Sequence, residues 1–262
     1  MDSSIFEVMS KHQLFIYKPL LAFAIFSIIL VFSQSSANKA VAQGNNLWYV
    51  GDGAKKGMYL TYRVQDADTN NGRPFDMTIY FKDFNNTGKY WVAPTFIVDQ
   101  GKVINGTFHL SDLDLTALGS SQIPKEMNEY RSAYTNSLKW LSSFVAKPGQ
   151  SLTAPYWGKI AAIGGSPIAP GGKATVTTPA GTFDTTVITW HKGVDNNIYI
   201  KDNLPYPVKA KTFADITTGN PPIQFAFDLL ATGQGQPKLP ASKEEIPVPP
   251  LDQRTERGTY TI

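Results

Sequence analysis

The sequence predicts a mainly β, α+β fold: an antiparallel curved sheet or half-barrel wrapped on one long amphipathic helix. Three observations carry this. Between Met58 and Thr232, segments rich in Tyr, Thr, Val and Ile alternate apolar and polar residues at a period of two. One segment, 124–146, instead repeats its apolar residues at steps of three and four. The chain of 262 residues contains no cysteine, so the domain is held by its own core and not by disulfides. About 190 ordered residues suffice for that, since a domain of this size buries roughly 70% of its unfolded surface.

Met58 to Val64 (MYLTYRV) reads as a half-buried strand, and Phe75 to Phe84 follows with Phe75, Met77, Ile79 and Phe81 on one face. Asn85-Asn86-Thr87-Gly88 is a turn cluster, after which Lys89 to Asp99 returns as the next strand. Asp99 to Lys102 turns the chain again into Val103 to Leu110. The product is a three-stranded meander with hairpin chemistry at both corners. Pro94 has no N–H for a ladder, which predicts a bulge there or an edge position for its strand.

Met127, Tyr130, Tyr134, Leu138, Leu141 and Val145 share one face of the predicted helix, and Trp140 and Phe144 broaden the stripe. Pro124 suits the first helical position, Glu126 favours the positive N-terminal end, and Pro148-Gly149 stops the chain. Beyond it the sequence predicts a strand at Thr153 to Ile163 and a loop at Gly164 to Gly172. A hairpin follows, Ala174 to Thr178 and Thr182 to His191 around Pro179-Ala180-Gly181. Ile198 to Lys201, Val208 to Ile216 and Ile223 to Thr232 complete the strands.

The two ends differ from this body. Within residues 1–43, Lys11 and Lys18 precede the apolar run Leu20 to Phe32, and the small-residue stretch Ser33 to Ala42 follows. That order is an export signature, with cleavage fitting after Ala42, which leaves Gln43 first, or after Ala37. Counted back to Leu14, the run also approaches the about 20 residues that span a bilayer, so an uncleaved anchor is the second reading. Both place the body, residues 44–232, outside the cell. From Gly233 to Ile262 seven prolines or glycines precede Leu251, which predicts a disordered Pro-rich tail.

Removing Lys11, Lys18, Lys39, Asp2 and Glu7 with the first 42 residues leaves 21 basic and 19 acidic residues, a net charge of +2. The basic residues are scattered, so nothing favours nucleic acid. Without cysteine there is no thiol nucleophile, iron–sulfur cluster or blue-copper site. No cofactor is expected.

The candidate chemistry is thin. Gly171-Gly172-Lys173 lacks the spacing of a phosphate loop, because Ala174 stands where Ser or Thr should bind magnesium. Asp66, Asp68 and Asn70 alternate like the start of a calcium loop, but Met77 occupies the glutamate position. Ordinary turn chemistry is the simpler reading there, and a weak metal site at Asp66 and Asp68 the other. His109 lies near Asp112 and His191 near Asp184 in sequence, with no Gly-x-Ser-x-Gly elbow to present a nucleophile. Asn85 and Asn105 begin Asn-x-Thr sequons and are candidate glycosylation sites. The aromatic residues, Trp91, Trp140, Trp157 and Trp190 among them, read first as core between helix and sheet, and second as the lining of an apolar pocket.

Two segments carry a resemblance. Thr178-Pro-Ala-Gly-Thr-Phe-Asp184 and Tyr199-Ile-Lys-Asp-Asn-Leu-Pro-Tyr-Pro-Val-Lys-Ala210 resemble the PAGTF and LPVK pattern of exported proteins of unknown function with a LolA-like fold. Trp48 to Gly57, Ser137 to Ser142, Trp157 to Ile160 and Pro205 to Ala210 resemble a group of exported proteins of ammonia-oxidising archaea, over most of Trp48 to Leu230. The first resemblance implies a half-open antiparallel barrel closed by a helix, with lipid or lipoprotein carriers as distant relatives. Neither brings functional residues to carry over.

The function expected is a non-enzymatic extracytoplasmic, envelope-associated protein that binds an apolar or lipid-like ligand in the curved sheet or a component of the cell envelope. The alternatives are a carboxylate-dependent hydrolase of cell-surface polymers and a purely structural surface protein.

Overall fold

The computed structural model describes residues 48–144, 161–163, 166–215 and 219–238, with only the backbone of 161–163, 166, 167 and 169. The chain divides at residues 46 and 47, and the description concerns the part after that division. The export segment with Ala42 and Gln43, the strand expected before Ala161 and most of the tail lie outside the described residues. Among the described residues no helix is long and apolar enough to cross a membrane.

The first five strands are β1 (Met58–Asp66), β2 (Phe75–Tyr80), β3 (Asp83–Asn85), β4 (Tyr90–Asp99) and β5 (Lys102–Ser111). Helix α1 (Asn128–Asn136) follows, then β6 (Ala161–Ile163), β7 (Ser166–Thr178), β8 (Gly181–Lys192), β9 (Val194–Ile200), β10 (Lys209–Phe213) and β11 (Ile223–Gln234). They form one open, curved antiparallel sheet. Its order is β5-β4, then β3 and β2 side by side on β4, then β1-β11-β10-β9-β8-β7-β6. Two meanders are therefore joined in the middle, where the first strand pairs with the last from Met58↔Gln234 to Asp66↔Phe225.

The period-two pattern decides which face is buried. In β1 every even residue from Met58 to Asp66 is buried, and the register carries that face through Phe75, Met77 and Ile79 of β2 to Ile97 of β4. On the other side it continues through Phe225, Phe227 and Leu229 of β11 to Ala210 of β10. Helix α1 lies against this face. Removing such side chains from water contributes roughly 1.5–3 kcal/mol for each large one.

Four expectations are corrected. The helix is not continuous over 124–146. Pro124 stays extended before a 3-10 turn at Lys125–Met127, α1 ends at Asn136, Ser137 leaves helical geometry (φ −122°, ψ −85°), and a second 3-10 turn covers Trp140–Ser143. The hydroxyls of Ser132, Thr135 and Ser137 donate to carbonyls four residues back, a competing bond that bends helices and supports a stop. The apolar stripe nevertheless stays buried at Met127, Tyr130, Tyr134, Leu138 and Leu141.

The predicted strand Phe75 to Phe84 breaks at Phe81, whose backbone bonds to Met58 and Gly57, while Lys82 bonds to Val92. This break accommodates Pro94. Thr107, opposite Pro94, sends its N–H away from β4 to Gln122, so the nitrogen of Pro94 also points away from β5, into the gap between β2 and β3. Its strand is interior and unbulged at that residue.

The segment predicted as a loop at Gly164 to Gly172 is strand from Ser166, pairing with β6 and, through a bulge between Pro170 and Gly172, with β8. Finally, β11 crosses the expected boundary at Thr232. Gln234 pairs with Met58, Gly235 donates to Gly57 (2.7 Å), and Pro237 is buried.

Candidate functional site

The sequence-predicted residues do not converge on one centre. The Asp66 carboxylate is buried and accepts from the Thr69 hydroxyl at 2.7 Å, whereas Asp68 is exposed and the Asn70 side chain bonds Arg73. The loop is a turn closed on itself. Among the described residues no three His, Asp or Glu side chains are grouped to hold a metal ion. His109 places Nδ1 2.9 Å from the Ser120 hydroxyl and stacks on Tyr90 at 4.5 Å. His191 pairs with Asp195 at 2.7 Å, both exposed, and not with Asp184. The Asn85 amide donates to the Tyr90 hydroxyl and accepts from the Gly88 N–H, while Asn105 stands exposed in β5.

Two of the segments that carry the resemblances, Trp48 to Gly57 and Tyr199 to Ala210, meet in space, while Trp157 to Ile160 lies outside the described residues. Trp48 donates its indole N–H to Leu204 O, Gly51 N–H bonds Pro205 O at 2.8 Å, and Asn203 N–H bonds the Asp52 carboxylate. The loop from Leu204 to Val208 is thereby buried throughout. It delivers Tyr206 into a cluster with Tyr62 and Tyr134. The Tyr134 hydroxyl lies 2.9 Å from that of Tyr206 and donates to Leu115 O, and Tyr62 donates to Pro207 O. Burial pushes all three hydroxyls well above the ordinary tyrosine range. Phe81, Phe108 and Phe227 pack edge-on or tilted against these rings. Under α1 the sheet is thus filled by side chains, the first of the two readings of the aromatic load.

A different arrangement forms where α1 stops. Trp140, half-buried on the second 3-10 turn, stacks on Trp190 of β8 (5.8 Å, 25°) and contacts Phe144 (4.9 Å) and Phe225 (5.7 Å). Leu138 and Leu141 on either side are fully buried and pin the turn. On the same turn the Ser142 hydroxyl is buried with no hydrogen-bond partner among the described residues, and a buried hydroxyl left unpaired costs roughly 1–3 kcal/mol. Sequence reasoning named Trp140 and Trp190 but not their pairing, because the helix break that turns Trp140 toward β8 has no signal in the apolar spacing.

A second feature is polar. A cleft of about 350 Å³ lies between the β7–β8 hairpin and the end of β9, where Asp184 and Asp202 share one wall-to-wall space with Lys173 and Lys201. Of these the sequence singles out Asp184, for a different partner, and Lys173, as the end of a glycine-rich loop that fails as a phosphate loop. The alternation Lys173, Thr175, Thr177 is what a solvent-facing strand edge shows anywhere.

An open curved antiparallel sheet with a helix on its inner face is the class that this fold defines. No protein-family model and no curated protein matches the sequence. Among solved structures, the chain is similar to a Bacteroides fragilis protein described as exported, with a YmcC-like fold (12% identity, TM-score 0.36), covering 72% of this chain and 99% of that one. It is similar also to MucB (11% identity, TM-score 0.42), covering 73% and 57%. A Parabacteroides distasonis protein described as a lipoprotein matches at 11% identity and TM-score 0.33, over 73% and 100%. Likenesses this distant leave the function to the chain's own residues.

Proposed function

We propose that the chain is a non-catalytic, extracytoplasmic protein of the cell envelope that binds an apolar or lipid-like ligand at the aromatic platform of Trp140, Phe144 and Trp190. The observation that carries this reading is the stack of the half-buried Trp140, with the half-buried Phe144 beside it, on the buried ring of Trp190 beyond the end of α1, so that the edge of the core is left partly open there. Large apolar rings left only partly covered at the edge of a core offer surface that a ligand can cover. The tyrosine-filled region under α1 takes no part.

The test is titration of the folded protein with an environment-sensitive apolar dye and with short-chain phospholipid. Both should bind and shift tryptophan emission, and Trp140→Ala should weaken them about tenfold or more while the fold persists. Folded protein with no dye uptake and no emission change would overturn the reading.

A further inference from the structure

We infer that the cleft beside the β7–β8 hairpin is a second binding site, for an uncharged polyhydroxyl ligand of the saccharide class. The register builds it. Lys173, Thr186 and Ile200 stand opposite one another on β7, β8 and β9, and Thr175 faces Asp184. Lys201 and Asp202 follow at the end of β9 and complete the wall. The volume of about 350 Å³ lies at the lower end of the range that takes small ligands.

The charges in this cleft do not neutralise each other. The Lys173 ammonium donates to the Thr186 hydroxyl at 2.6 Å, and Asp184 accepts from the Thr175 hydroxyl at 2.8 Å. The side chains of Lys201 and Asp202 make no hydrogen bond or ion pair among the described residues. Two ammonium groups and two carboxylates therefore keep free donors and free acceptors in one space. An anion or a cation entering it meets like charge as often as opposite charge, so net charge is not what the cleft selects. Hydroxyl groups are donors and acceptors at once, and vicinal pairs of them match a carboxylate on one side and an ammonium on the other. Ile200, with its side chain buried, supplies an apolar floor against the C–H face of a ring. This site is independent of the aromatic platform and uses none of its residues.

The experiment is ligand-observed saturation-transfer NMR on the intact chain with cellotriose, maltotriose and chitotriose, with diglycine and inorganic phosphate as charged controls. At least one trisaccharide should give transfer that the double variant Asp184→Ala, Asp202→Ala reduces tenfold or more, and the charged controls should give none. Trp140→Ala should leave that signal unchanged, which separates this site from the proposed apolar one. Because Asp184 and Asp202 are exposed, the double variant keeps the fold, checked by circular dichroism. Absence of transfer from all three sugars, binding that survives the double variant, or preference for diglycine or phosphate would overturn the inference. Appearance of cleaved sugar would overturn it as a binding site and replace it with the hydrolase reading, since two carboxylates about 5–9.5 Å apart are the machinery of glycosidic cleavage.

Discussion

The indole N–H of Trp48 donates to the carbonyl of Leu204 at 2.8 Å, and both groups are buried although 156 residues of chain separate them. The bond staples the segment before β1 to the loop before β10, so it holds together the two meanders that the β1–β11 pairing joins. Gly53 completes the staple. Its φ of +71° is left-handed, and a Cβ there would lie 2.4 Å from the backbone of Asn203.

Trp48→Phe should cost about 1–3 kcal/mol, because it keeps most of the ring but orphans a buried carbonyl. Gly53→Ala should cost about 2–4 kcal/mol, from overpacking and from a left-handed backbone that L side chains disfavour. Urea unfolding reads both. If Gly53→Ala matched the wild type, the close approach to Asn203 would not be a tight contact in solution.

Leu138 and Leu141 keep the turn after α1 against the sheet, with Leu141 only 1% exposed. Leu141→Ala should therefore destabilise by about 2–5 kcal/mol. The same variant should red-shift the emission of Trp140, whose position on the Trp190 ring depends on that anchor. A loss under half a kcal/mol would mean that the turn is peripheral to the fold.

What the sequence made legible follows from what each signal measures. The alternation in Met58 to Val64 reports one buried face, and β1 runs two residues further on the same parity to the buried Asp66. The stripe from Met127 to Leu141 reports burial correctly, yet it is blind to backbone continuity. Steps of three and four are satisfied equally by α1 and by the 3-10 turns that flank it. The hydroxyls at Ser132, Thr135 and Ser137 were the available warning. Gly164 to Gly172 misled in the opposite direction, since glycine and proline mark a bulged strand as readily as a loop. The stack of Trp140 on Trp190 and the cleft around Lys173 were not legible at all. The first joins a turn after the helix to a strand much later in the chain, and the second depends on the register of three consecutive strands, which local pattern does not report.

The buried hydroxyls of Tyr62, Tyr134 and Tyr206 make the fold sensitive to alkali. Their folded-state affinity for the proton is raised by burial from an ordinary value of 10.0. Below pH 10 each is protonated in folded and unfolded chains alike. Above it only the unfolded chain ionises, so the unfolded state binds fewer protons and stability falls as pH rises. Each group contributes about 1.4 kcal/mol per pH unit in that window, so the three together lose about 4 kcal/mol per unit. Unfolding midpoints should be level to pH 9.5 and then drop steeply, and absorbance at 295 nm should show these phenols ionising only with unfolding. Replacing Tyr62 by Phe should reduce the slope by about a third. A flat profile to pH 11.5 would contradict a sealed tyrosine cluster.

The last prediction concerns where the folded body ends. The expected boundary at Thr232 cuts through β11, because Gly233 and Gln234 still pair with Tyr59 and Met58 and Gly235 still bonds Gly57. A chain truncated after Thr232 removes those pairings at the strand that joins the two meanders, along with the buried Pro237. It should lose about 1–3 kcal/mol, from several net hydrogen bonds at 0.5–1.5 kcal/mol each. Truncation after Lys238 leaves every described contact in place. The segment it removes, with Pro240, Pro247, Pro249 and Pro250 and no apolar periodicity, has little with which to offset its own ordering entropy. Its unfolding midpoint should stay within about 2 °C of the full chain, inside what 1 kcal/mol produces at this size. Equal losses from the two truncations would place the stabilising contacts beyond Lys238 and move the boundary of the body into the tail.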